Sequence, residues 1–319
     1  MPVKYSDIKI AEKRISDYIF RTSLEKSMFL SEKETSVYFK LECQQYMKCA
    51  KLRGALNKLA ILKQNKIEKE IMTISSGNHG AAVSYGSFLL GIKNVTIYVP
   101  ETSPKSKIEK MEYYGANIVK AGKDYDDAHR IGMKAIKDSN GIFIDPYSEE
   151  VIAGHGTTAL EIFEQNNNID TILVPIGGGG ILTGISIAAK HINPMVKVIG
   201  LQTAACPAMK ESLKDNVFYE MFPSKPSICD GLIGGVGKIP YEMAKQCIDD
   251  IWIIEEDDIA RAVSFLVRKE KLIVEPAGAI GVAAVQKNYP KLKGKNVAVV
   301  ITGGNIDDKL LVELLNKYS

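Results

Sequence analysis

Residues 171–189 read TILVPIGGGGILTGISIAA, a stretch without one charged side chain. Its length raises the question of a membrane span, for which roughly 18 apolar residues suffice. Pro175 and the four successive glycines Gly177, Gly178, Gly179 and Gly180 argue against it, because they would break a spanning helix in half. The stretch reads instead as a buried strand over 172–176, a glycine turn over 177–180 and a helix from Ile181 onward. Such a turn lets backbone N–H groups approach an anion, and the helix N-terminus adds a favourable dipole. It is therefore a phosphate cradle, or else a tight strand-to-helix turn with no ligand.

Working outward, strand-like runs recur at 36–41, 71–74, 95–99, 117–119, 196–201, 251–254 and 297–301. Between them lie helical patterns such as 81–90, 105–113, 128–138 and 258–268. This alternation predicts an α/β fold built from two open, mostly parallel twisted sheets with helices on both faces. The segment 63–145 reads as a small α/β domain inserted into the chain. Residues 1–62 and 146–319 would then form one larger, discontinuous domain, with a ligand cleft between the two.

The whole chain has 319 residues, 45% hydrophobic and 25% charged, with a net charge of +3. That profile suits a globular protein of about two domains. No Lys/Arg cluster interleaves with aromatic residues, so nucleic acid is not an expected partner. A membrane partner is not expected either. Cys43, Cys49, Cys206, Cys229 and Cys247 form no CxxC pair and suit free thiols in a reducing cytosol. The opening residues MPVKYSDIKI lack the apolar core of an export signal, and a cytoplasmic location is expected.

Spacing narrows the anion. A dinucleotide fingerprint counted from Gly177 or Gly178 needs its last glycine at Leu182 or Thr183, and its acidic ribose ligand falls on Gln202. A Walker A loop at Gly237-Lys238 needs glycine at Leu232 and a hydroxyl at Ile239. Both fail.

Three further segments carry chemistry. Residues 40–55 (KLECQQYMKCAKLRGA) place Lys51 in a basic stretch where, alone, it is an ordinary lysine. Residues 75–80 (SSGNHG) offer two hydroxyls, an amide and an imidazole at the end of a strand, which suits capture of a carboxylate or a plain helix cap. Residues 301–307 (ITGGNID) present Thr302 at a sheet's carboxyl edge, and 275–278 (EPAG) precede a small-residue helix.

Taken together and in this order, the segments resemble fold type II pyridoxal 5′-phosphate (PLP) enzymes, within the threonine/serine dehydratase and serine racemase group. The likeness runs from about residue 5 to 307. It is carried by Lys40, Glu42, Lys51, Arg53, Gly54 and Ala55, by 75–79, by Gly154–Thr157 (GHGT), by the four glycines, by EPAG and by the terminal Thr-Gly-Gly-Asn. The resemblance implies that Lys51 carries PLP as a Schiff base and later takes the substrate α-proton. It implies that Gly177, Gly178, Gly179 and Gly180 hold the phosphate, that Asn78 bonds the ring 3-oxygen and that Thr302 faces the pyridine nitrogen. Ser75, Ser76, Asn78 and His79 would surround the carboxylate of a small amino-acid substrate, in an enzyme that is a homodimer or larger.

Departures from the family pattern leave the reaction open. Ser76 stands where dehydratases commonly carry Ala and racemases carry the acid/base opposite the lysine. Cys49-Ala50 replaces Ser-Phe beside Lys51, and Tyr147 stands near where racemases place an Asn. At the racemase cation site the aligned residues are Gln202, Cys206 and Ala208, which lack the two hard carboxylates such a site needs, so no metal is expected there. The leading expectation is a serine/threonine dehydratase giving a 2-oxo acid and ammonia. A serine racemase using Lys51 and Ser76 is the alternative. From another class, a catalytically silent amino-acid-binding protein also fits.

Overall fold

A computed structural model describes residues 2–318, the side chains of residues 125, 126 and 289 excepted. The strands are β1 (Leu24–Lys26), β2 (Ser36–Lys40), β3 (Ile71–Ile74), β4 (Val95–Val99), β5 (Asn117–Lys120), β6 (Ile142–Phe143), β7 (Thr171–Pro175), β8 (Lys197–Thr203), β9 (Asp250–Ile254) and β10 (Asn296–Val300). Two sheets result, one in the order β1-β2-β10-β7-β8-β9 and a smaller one in the order β5-β4-β3-β6. Only the β1–β2 pairing is antiparallel among the described strands. The eight strand-like runs of the sequence all form strands; β1 and β6 are additional.

The period-2 alternation of the strands sorts their side chains into separate cores. In β7, Ile172 and Val174 enter one apolar layer of the larger sheet while Leu173 enters the other. Along β10, Ala298 and Val300 face the first layer, and Val297 and Val299 the second. The smaller sheet divides likewise, with Ile71 and Ile97 on one face and Met72, Ile74 and Tyr98 on the other. The inner strands β3, β4, β7, β8 and β10 are thus covered on both faces, which is why they read as near-continuous apolar runs.

The order of the strands positions the site. In the larger sheet the chain leaves β7 toward β8 and β9, yet β10 lies on β7's other side. In the smaller sheet β3 leads to β4 and β5, while β6 lies on the opposite flank. Each reversal opens a crevice at the carboxyl ends of the strands, where ligands bind in open α/β sheets. Gly177–Gly180 and Thr302 follow β7 and β10, and the 75–79 segment follows β3.

One helix links the two lobes. Helix Lys51–Gln64 buries Leu52, Leu56, Leu59 and Leu62 in the same core as β3 and β4 residues. The division expected after residue 62 therefore falls inside this helix. The other helices begin close to where periodicity places them, often a few residues earlier; Asp124, for example, caps 125–138 by accepting from the Asp127 N–H at 3.0 Å.

Candidate active site

Lys51 is the first residue of its helix. The chain just before it is stitched to the segment after β10. Ala50 N donates to Thr302 O at 2.9 Å, Gly304 N donates to Lys48 O at 2.9 Å, and Cys49 pairs with Gly303 in an isolated bridge. Met47 and Lys48 occupy the left-handed region, with φ of 61° and 56°, a strained choice for side-chain-bearing residues. These ties hold them there and set Lys51 beside Thr302.

Behind the lysine lies a buried quartet of charges. Arg53 reaches Glu42 through Nε and Nη2, both at 2.8 Å, and Glu161 through Nη1 at 2.6 Å and Nη2 at 2.9 Å. Lys40 also pairs with Glu161, and Thr22 donates to Glu42 at 2.6 Å. Two cations and two carboxylates balance, so none is left uncompensated away from water. Burial opposes ionisation of Glu42, but Arg53 overcomes it and holds the carboxyl below its usual range. The quartet fixes the first turn of the Lys51 helix from below.

Burial lowers the pKa of the Lys51 ammonium, against smaller opposing pulls from Cys49 and Glu275. Its place at a helix N-terminus disfavours a cation as well. No hydrogen bond from its Nζ is found among the described residues.

The glycine loop leaves no room for side chains. Gly179 has φ of +95°, which only glycine adopts cheaply. A Cβ at Gly177 would sit 2.8 Å from Gly231 O, and one at Gly178 would strike the Tyr147 ring. Helix Gly180–Ile192 starts there and offers its first N–H groups. Beneath the loop, His155 is 1% exposed, and its ring lies near the Ala50 backbone. Its imidazole lies between the Lys51 helix and Gly180, and burial holds its pKa far below the ordinary value.

Across the cleft, helix Asn78–Leu89 presents Asn78. Its Nδ2 donates to Glu275 Oε1 at 2.7 Å, and its Oδ1 accepts from Asn305 Nδ2 at 2.7 Å. Ser75 Oγ accepts from Gly77 N at 3.2 Å, and Ser76 is partly exposed on the same turn. His79 turns away: its Nε2 lies 3.0 Å from Ile144 O, just beyond β6. A carbonyl only accepts, so Nε2 carries the proton and Nδ1 is the buried, unpartnered nitrogen. Burial lowers its pKa to about 4.

The fold thus brings the chain before Lys51 against Thr302 and Asn78, with His155 between the Lys51 helix and Gly180 of the glycine loop, and with His79 bonded to Ile144 on the other side of its turn. Glu275, Asn305 and His155 belong to the same cluster, although sequence reasoning gave them no role. Each stood inside a recognised motif, which was the available signal. Gln202, by contrast, is fully buried and spanned by its own lobe. Its Oε1 accepts from Lys210 N at 3.0 Å and its Nε2 faces Cys206 O at 3.5 Å. Among the described residues no group of His, Cys, Asp or Glu could hold a metal ion.

Comparison with known proteins gives the family. Residues 15–303 match the family described as pyridoxal-phosphate dependent enzyme. An L-threonine ammonia-lyase of Thermotoga maritima is 37% identical over 318 residues, covering 99% of this chain and 79% of that protein. A catabolic L-threonine dehydratase of Staphylococcus aureus is 36% identical over 96% of this chain and 90% of its own. The solved structure of a maize serine racemase superposes with a TM-score of 0.90 at 30% identity, covering 100% of this chain and 98% of that one. The chain belongs to the pyridoxal-phosphate dependent enzymes, in their fold type II group.

Proposed function

We propose that the chain is an ammonia-lyase that converts L-threonine and L-serine to their 2-oxo acids and ammonia. The observation that carries this reading is Lys51: partly buried, at a helix N-terminus, without a hydrogen-bonding partner among the described residues, and directly after Ala50 and Cys49, which bond Thr302 O and Asn78 O. The named activities of the relatives support the choice of substrate.

The residues present fit the family's cofactor. Glycines 177–180 form a cradle that side chains would fill, at the start of a helix that attracts phosphate. Lys51 would anchor PLP, glycines 177–180 its phosphate, Asn78 its ring 3-oxygen and Thr302 its pyridine nitrogen. When bound, PLP supplies an electron sink for negative charge at the substrate α-carbon, and the neutral hydroxyl of Thr302 keeps that sink mild.

The chain's own residues do the rest. Ser75, Ser76, Asn78 and the turn they share would receive the substrate carboxylate, with His79 supporting that turn from behind. Lys51, its ammonium disfavoured by burial, accepts the α-proton at Nζ. The partial burial that lowers the Lys51 pKa would also limit water at the reacting carbon. The free thiols of all five cysteines fit a reducing cytoplasm, where we place the protein, as a homodimer. Among the described residues no helix is long and apolar enough to cross a membrane.

A second reading, racemisation, is favoured by Ser76, whose hydroxyl stands partly exposed on the turn across the cleft from Lys51. One assay separates the two: incubate the protein with L-serine and L-threonine, then quantify pyruvate, 2-oxobutyrate and D-serine. Lyase activity predicts the oxo acids in excess, and Ser76→Ala should lower D-serine formation far more than it lowers dehydration. A Lys51→Ala protein that kept both the visible band of lysine-bound cofactor and turnover would sink the assignment of Lys51. Purified parent protein with no visible band at all would favour a silent amino-acid-binding protein.

A further inference from the structure

We propose that Lys110 and Asn305 are positioning residues for Asn78, through a one-way chain of hydrogen bonds that fixes which end of the Asn78 amide faces the cofactor. The proposal rests on the reading above that Asn78 bonds the ring 3-oxygen.

The chain of bonds runs across the cleft. Lys110 lies on helix Lys105–Tyr113 of the smaller-sheet lobe, and its Nζ donates to Asn305 Oδ1 at 2.9 Å. Asn305, beyond β10, donates from Nδ2 to Met47 O at 2.8 Å and to Asn78 Oδ1 at 2.7 Å. Asn78 in turn donates from Nδ2 to Glu275 Oε1 at 2.7 Å.

The ends dictate the sense of the whole series. An ammonium only donates, so the Asn305 oxygen must face Lys110 and its two N–H bonds must go to Met47 O and Asn78 Oδ1. Asn78 Oδ1 is then an acceptor, and its amino group faces the Glu275 carboxyl. Inverting either amide would set oxygen against oxygen at one contact and leave N–H against ammonium or N–H at another. With one Asn78 N–H spent on Glu275, a single N–H is left for the cofactor. Orientation at Asn78 is therefore held from three sides, by Lys110 and the Met47 carbonyl acting through Asn305 and by Glu275 directly.

Lys107 provides the control. It lies on the same helix and also crosses to the larger lobe, pairing with Asp230 at 2.6 Å; it bonds none of the amides and acts on Glu275 only through the field of its charge. Loss of Lys107 loosens the lobes; loss of Lys110 also removes the one cation that pins the Asn305 oxygen.

The test uses the holoenzyme and four variants, K110M, K110R, N305D and K107M. Cofactor affinity is measured by titrating PLP back into resolved protein, and the visible absorbance maximum of the bound cofactor is recorded. K110M and N305D should weaken affinity about five-fold or more, the scale of one good hydrogen bond, and displace the maximum. K110R, still a donor, should restore both, and K107M should leave the maximum in place. Should N305D not fold, K110M decides alone, since Lys110 is partly exposed and its loss leaves no buried charge. A K110M protein with parental affinity and spectrum overturns the proposal, as does a K107M protein displaced as far as K110M. A parent without any visible band overturns the role of Asn78 itself, a failure distinct from a band that ignores Lys110.

Discussion

Substituting Arg53→Met tests whether the buried quartet holds the Lys51 helix. Arg53 is 0% exposed and makes four hydrogen bonds to two carboxylates. Without it, Lys40 alone faces Glu42 and Glu161, so one buried carboxylate is uncompensated. Breaking such a group by removing one partner costs about 3–5 kcal/mol. Unfolding entropy of roughly 2.1 cal/mol/K per residue, taken over 319 residues, comes to about 0.7 kcal/mol/K. The melting temperature should therefore fall by roughly 6 °C for a loss of ~4 kcal/mol. The pH dependence gives a second handle. In the parent, Glu42 is held below its usual pKa, so its contribution is present above about pH 4.5 and is lost as pH falls through the folded value. In Arg53→Met the same carboxyl is raised by burial, so the variant is least handicapped at low pH and worse as pH rises. Melting curves from circular dichroism at pH 5 and pH 8 should show the gap widening with pH. A variant melting within about 1 °C of the parent at both pH values would falsify the reasoning.

Gly154→Ala should destabilise by about 1–3 kcal/mol, because helices Lys51–Gln64 and Glu149–Gln165 meet at Gly54 and Gly154. A Cβ at Gly154 would lie 2.7 Å from Gly54 Cα, and a urea midpoint unchanged by the substitution would show that the helices can part freely. Burial, with Asp230 adding repulsion, raises the Glu275 pKa to about 7. A raised carboxyl contributes stability below its unfolded pKa, so this share, on the order of 3 kcal/mol, is lost as pH climbs from about 4.5 to about 7. Glu275→Gln should flatten that slope relative to the parent in urea titrations at pH 5 and 7.5; equal slopes would remove Glu275 as the titrating group. Magnesium or calcium at millimolar concentration should move the melting temperature by less than about 1 °C, since Gln202 fills its site with neutral hydrogen bonds. Strong stabilisation by either ion would place a cation site there after all.

Much of this protein is legible in order of residues alone. The inner strand runs are apolar on both faces, so their burial needs no partner to be inferred, and all eight runs appear as strands. Gly179 needs glycine for a local reason, its left-handed backbone. Lys51 is picked out by neighbours whose spacing is fixed along the chain.

What sequence left undecided depends on who meets whom. β1 and β6 span three and two residues, too short for any period to register, and exist only because β2 and β3 supply their hydrogen-bond partners. Glu275 and Asn305 converge on Asn78 from 197 and 227 residues away, and Glu161 reaches Arg53 across 108. No local pattern encodes such pairings. They follow from the crossover order that lays β10 beside β7 and β6 beside β3. Chain periodicity determines which face of an element is buried, whereas only the closed topology decides which polar groups share that burial and must satisfy one another.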